Sequence, residues 1–187
     1  MKTILIILTV LSSFLTNLET KTLQSDFTVT VSEEVNSPMN FPGKIIMQGN
    51  KFRLEMLAIE AAYDAKTMYM YTSETDELTL TNPTEQELLE VNPFLYAKAL
   101  VGVCNITEKA SKDGTQTIIT LTPKDQSIGI NRFTLHVRNA DLMPLKAEIK
   151  EGKKISSLKL KEPKFVTTTN EYVLKPGKDT FVNDMRL

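Results

Sequence analysis

Few groups in this chain are able to do chemistry. His136 is the only histidine and Cys104 the only cysteine in 187 residues. A structural zinc site takes four nitrogen or sulfur ligands, and one imidazole with one thiol falls short of it. A serine hydrolase needs a serine on a sharp turn beside a histidine. The pattern Gly-x-Ser-x-Gly does not occur. The seven glycines are scattered, so no Gly-rich phosphate loop is present. Carboxylates are plentiful. Pairs such as Glu33-Glu34, or a group such as Asp125, leave general acid–base chemistry open, but no spacing singles one out. His136 alternates with Phe133, Leu135 and Val137, which puts it on the solvent side of a strand. No catalytic residue, cofactor or metal ligand is assigned.

The totals narrow the class further. There are 22 basic and 23 acidic side chains, a net charge of −1. No basic stripe or arginine–aromatic interleaving supports nucleic-acid binding. Lys2 followed by Ile4 to Leu11, apolar except for Thr9, reads as a secretory signal peptide over residues 1–18. That run is shorter than the ~20 apolar residues that span a bilayer. Leu11, Phe14, Leu15 and Leu18 also recur at helical spacing, so the same stretch suits an amphipathic helix. Residues 19–187 then form one domain, long enough to bury a core without disulfides. A lone cysteine permits no intrachain disulfide, and export without one fits a bacterial periplasm. A monomer is expected.

The elements follow from periodicity. Phe27 to Val31 alternates strictly, and Gly43 to Met47 and Lys51 to Leu57 turn about Gln48-Gly49-Asn50-Lys51. Ile59 to Tyr63 and Thr67 to Thr72 form a hairpin, and Leu78 to Thr81 continues it. The period then switches. Thr84 with Glu87 is a capping-box pattern, and Asn92-Pro93 restarts a second helix as N-cap and first residue. Strands return at Thr115 to Thr122, Ile128 to Val137, Leu145 to Ile149 and Ile155 to Leu160. Nine to eleven short strands with regular turns predict a mainly β fold. It is a single curled antiparallel sheet or unclosed barrel with short helices over it.

The apolar inventory points to a function. Phe27, Val29 and Val31 share a face, as do Phe52, Leu54 and Met56, Tyr69 and Tyr71, and Phe133, Leu135 and Val137. Met68 and Met70 alternate with the tyrosines, so that strand is apolar or aromatic on both sides. Unbranched methionine suits sites that accept variable apolar shapes. Leu88, Leu89, Phe94, Leu95 and Leu100 are placed to cover the open side of the sheet. A cover held by apolar contact alone can be displaced by an acyl chain, at ~0.8 kcal/mol per buried methylene.

Several stretches resemble the periplasmic outer-membrane lipoprotein carrier family, LolA, and its Bacteroidetes-type relatives. They are Gly49-Asn50-Lys51-Phe52, Ala65 to Tyr71, Asn82-Pro83-Thr84, Asn92-Pro93-Phe94, Leu121-Thr122-Pro123-Lys124, Phe133 to Val137, Tyr172 to Pro176 and Asp184 to Leu187. Their order covers about Leu23 to Leu187. The resemblance implies an unclosed antiparallel barrel with a helical lid. Its cavity takes acyl chains of a lipoprotein released by an inner-membrane ABC complex, and an outer-membrane acceptor receives them. The expected cavity lining is Phe27, Val29, Phe52, Leu54, Tyr69, Tyr71, Phe133 and Leu135, and the expected lid residues are Leu88, Leu89, Phe94 and Leu95. An envelope-stress sensor or glycolipid-binding domain on the same fold is the alternative, and a lipid-acting hydrolase comes third. Two departures stand out. The family's lid-closing arginine is replaced by Gln48-Gly49, and only Glu19 to Ser25 are left for the family's long first helix if cleavage follows Leu18.

Overall fold

The computed structural model describes residues 2–33, 36–167 and 171–186. Met1, Glu34 and Leu187, which enter the sequence reading, lie outside them. The first half of the chain runs α1 (Lys2–Thr20), β1 (Thr22–Glu33), β2 (Asn36–Gln48), β3 (Lys51–Met56), β4 (Ile59–Tyr63), β5 (Met68–Thr72) and β6 (Glu77–Thr81). Two short helices follow, α2 (Glu85–Val91) and α3 (Pro93–Leu100). The second half is β7 (Cys104–Ala110), β8 (Gln116–Pro123), β9 (Arg132–Arg138), β10 (Met143–Glu151), β11 (Lys154–Val166) and β12 (Phe181–Asp184). The strands form one twelve-stranded sheet in the order β12-β6-β5-β4-β3-β2-β1-β11-β10-β9-β8-β7. β7 and β12 are the two ends, so the sheet is curled and unclosed, as expected. All pairings are antiparallel except β12 with β6.

Hairpins build each half, and β1 with β11 joins them across the middle. β2 reaches well beyond its partner β3, which pairs only with Gly43 to Gln48. The first half of β2 is therefore an edge on that side, the kind of strand that tolerates Pro38 and Pro42. Gly43 sits opposite Phe27, and a methyl at Gly43 would overlap that ring and the Glu55 carbonyl. The glycine lets the phenyl lie flat over the strand.

Two strands go beyond the sequence reading. β7 carries Glu108 on the same side as Cys104 and Ile106, which breaks the apolar alternation. β12 is a four-residue strand whose pairing comes from the parallel edge of β6, not from its own pattern. The main core lies on the concave side of the sheet and is contributed by nearly every strand. A small second cluster, Ala62, Leu78, Leu80 and Leu174, lies on the convex side with Tyr69 and Tyr71 packed on it.

Candidate functional site: a half-covered apolar trough

Cross-strand register defines the concave face. Met47 pairs with Phe52, Phe52 with Tyr63, and Tyr63 with Met68, and side chains opposite one another share a face. One row along the strands, Ser25 pairs with Ile45, and Leu54, Ala61 and Met70 follow in register; the next row is Phe27, Gly43, Met56 and Ile59. On the other wing Phe133, Leu135 and Val137 of β9 are fully buried, with Ile119 and Leu121 beside them on β8. The trough has two halves. The rows from Leu23, Met47 and Phe52 are deeply buried, whereas Val29, Leu54 and Met56 are half-buried and Met70 is 41% exposed. Met39 and Ile59 continue the open half, at 56% and 40% exposure.

Helices make the difference between the halves. α1 turns Leu11, Phe14 and Leu18 into the core, with Phe14 completely buried. Its ring meets Phe94 of α3 edge-on at 5.9 Å. α3 buries Phe94, Ala97 and Leu100, and Tyr96 leans on Phe133 at 6.2 Å. Asn92 links α2 to α3. Its side-chain Oδ1 accepts from the backbone N–H groups of Phe94 (3.1 Å) and Leu95 (3.2 Å), and its own backbone N–H donates to the Leu88 carbonyl. α2 is capped as its sequence predicts, with Thr84 and Glu87 forming both bonds of the capping box. It buries no residue fully, and only Leu88 packs on the main core.

The segment read as a leader thus runs as a helix whose second half roofs the trough. Cleavage after Leu18 would take Leu11, Phe14 and Leu18 out of the core. The β2–β3 turn at Gln48-Gly49 anchors the end of α1. The Gly49 N–H donates to the Leu18 carbonyl at 2.6 Å, and the Gln48 amide nitrogen donates to the Thr20 carbonyl at 3.4 Å. Lys98 of α3 pairs with Glu19 of α1 at 2.5 Å, an exposed bridge of the kind that contributes at most about 1 kcal/mol.

The expected site residues divide between the two faces. Phe27, Phe52, Phe133 and Leu135 are buried in the concave core, and Val29 and Leu54 line its half-open part. Of the expected lid residues, Phe94 and Leu88 pack on the core. Leu95 borders a cavity of about 300 Å³ with Leu15, Leu18 and Met47, and Leu89 is half-buried on α2. Tyr69 and Tyr71 do not join them, because strand parity sends them to the convex side, where Met68 and Met70 take the concave one. Their hydroxyls donate to turn carboxylates, Tyr69 to Asp64 and Tyr71 to Asp76, each at 3.1 Å. Thr180 also donates to Asp76, which ties the C-terminal segment to this face. An apolar strand on both sides signals cover on both sides, and here the second cover is the tail carrying Tyr172 and Leu174.

A second cavity of about 700 Å³ lies between α1 and β7, lined by Leu11, Leu15, Val101, Cys104 and Ile106. Its volume is within the range of small-molecule pockets. Burial pushes the Cys104 thiol up, partly offset by Lys124. Burial also pushes the Glu108 carboxyl up, with the Leu11 backbone pulling the other way. His136 stands on the convex face as expected, half-buried, and burial with nearby Lys146 lowers its pKa against Glu148. Among the described residues, no three His, Cys, Asp or Glu side chains come together to hold a metal. No helix among them is long and apolar enough to cross a membrane.

The architecture is an open, curled twelve-stranded sheet, antiparallel but for β12, with an apolar hollow under short helices. Comparison with solved structures agrees at the level of fold. An uncharacterized conserved protein of Thermus thermophilus aligns over 93% of this chain and 96% of its own, with a TM-score of 0.62 and 14% identity. MucB, in the MucA/MucB complex of Pseudomonas aeruginosa, aligns over 86% of this chain at TM-score 0.50 and 15% identity. This chain spans 58% of that one. A LolA superfamily protein of Nitrosomonas europaea aligns over 88% of this chain and 97% of its own, at TM-score 0.43 and 10% identity. No protein-family model and no curated protein matches the chain.

Proposed function

We propose that this protein is a periplasmic carrier that holds the acyl chains of lipidated proteins in its trough and moves them between membranes, without catalysis. The supporting observation is the division of the trough. One half is packed under α1 and α3, and the other is open and lined by Val29, Leu54, Met56 and Met70. Each of these side chains offers apolar surface with no strongly polar group to satisfy. α2 adds a cover worth little more than Leu88, about 1.5–3 kcal/mol of burial, which two to four methylenes of an entering chain offset. An inner-membrane ABC complex supplies the cargo and an outer-membrane acceptor takes it, and Lys2 with the apolar run after it directs export. The test is titration with a fluorescent fatty acid such as cis-parinaric acid. Saturable emission that a synthetic diacyl lipopeptide displaces supports the carrier, and a signal that never saturates refutes it.

The likeness to MucB, solved in complex with MucA, favours a second reading. In it the domain is an envelope sensor that binds a protein partner through its surface. A sensor complex survives removal of acyl chains from the partner, whereas a carrier releases cargo once its chains are cleaved.

A further inference from the structure

Asn92 does more than cap a helix. It is 1% exposed, among the most buried polar residues described. Its Oδ1 is committed to the Phe94 and Leu95 N–H groups, which fixes which end of the amide carries the nitrogen. The other end, Nδ2, is buried with no acceptor among the described residues. Capping needs only an acceptor, and serine, threonine or aspartate supplies one. What asparagine adds is the donor, and a buried donor left unpaired destabilises the closed state. Its neighbours in the roof are apolar: Phe94 and Leu88 on either side of it in the chain both pack on the main core.

We propose that the Asn92 amide is the polar anchor of the trough, donating to the ester carbonyl of an entering acyl chain. The inference deepens the carrier reading and rests on it. A hydrocarbon face recognises chain length but not how the chain is attached. One donor at the joint of α2 and α3 distinguishes an ester-linked chain from a plain alkyl one. The amide is covered in the closed protein, so it meets a ligand when the roof around the α2–α3 joint opens. Pairing the donor then favours the loaded state over the empty one.

The experiment compares two synthetic glyceryl lipopeptides of equal chain length, one a diester and the other its dialkyl ether, each displacing cis-parinaric acid from the full-length protein. The wild type is expected to bind the diester about fivefold more tightly, the effect of one buried hydrogen bond. In Asn92→Ser, which keeps a capping oxygen and loses the amide donor, the difference is expected to fall to within about twofold. Equal affinities in the wild type overturn the inference and leave the carrier reading standing, and so does an ester preference that persists in Asn92→Ser. Failure of both lipopeptides to bind overturns the inference together with the carrier reading. The wild-type comparison is decisive by itself if Asn92→Ser does not fold.

Discussion

Phe14→Ala tests whether α1 is part of the fold. The Phe14 side chain is fully buried, belongs to the main core, and meets the Phe94 ring at 5.9 Å. Truncating a buried phenylalanine costs about 3–5 kcal/mol. In a domain of this size each kcal/mol lowers Tm by about 2–4 °C, so the expected drop is about 6–20 °C. Circular dichroism melts of the full-length protein measure it. Leu15→Ala, at a half-buried position one residue on, should cost clearly less. A double-mutant cycle with Phe94→Ala should show about 0.5–1.5 kcal/mol of coupling between the rings. A Phe14→Ala protein that melts within about 2 °C of the parent would refute the packing of α1 and return Leu11 to Leu18 to the role of a leader alone.

Other perturbations separate the two faces of the sheet and its local strains. Met70→Glu places a charge in the open half of the trough and should weaken fatty-acid binding about tenfold, an effect of about 1.4 kcal/mol. Tyr71→Phe acts on the convex face and should leave that affinity essentially unchanged while loosening the tail held through Asp76. Gly43→Ala should cost about 1–3 kcal/mol in urea unfolding, since the added methyl meets the Phe27 ring and the Glu55 carbonyl. Glu108→Gln should raise Tm at pH 7 and leave it unchanged at pH 4. The folded carboxyl has a raised pKa, so its favourable neutral form is complete below the unfolded value of about 4.3 and is lost as pH rises through the folded one. A flat difference between the two proteins from pH 4 to pH 7 would show that Glu108 is not desolvated.

Much of the sheet was legible in the chain. Strict alternation at Phe27 to Val31 and Phe133 to Val137 places those side chains on one face, and the structure keeps them there. Local helix chemistry was legible too. Thr84 with Glu87 and Asn92 with Pro93 specify their caps through bonds within four residues. What was not legible depends on distant partners. The direction in which Tyr69 and Tyr71 point is set by the tail, far along the chain, because a strand apolar on both faces gives its parity no preference of its own. α1 combines an export-like pattern with a helical stripe at Leu11, Phe14 and Leu18, and the hollow that this stripe fills is built by distant strands. β7 escapes notice because Glu108 occupies an apolar-side position under α1. The bonds from Gly49 and Gln48 to the Leu18 and Thr20 carbonyls, which tie α1 to the β2–β3 turn, are announced by no residue-type pattern.

The most direct test of acyl carriage is mass spectrometry of the protein isolated from an envelope fraction without detergent. The account predicts a population bearing lipidated protein or its acyl chains at one cargo per chain, reduced in Met70→Glu. A protein that emerges empty, with Met70→Glu indistinguishable from the parent, would contradict it.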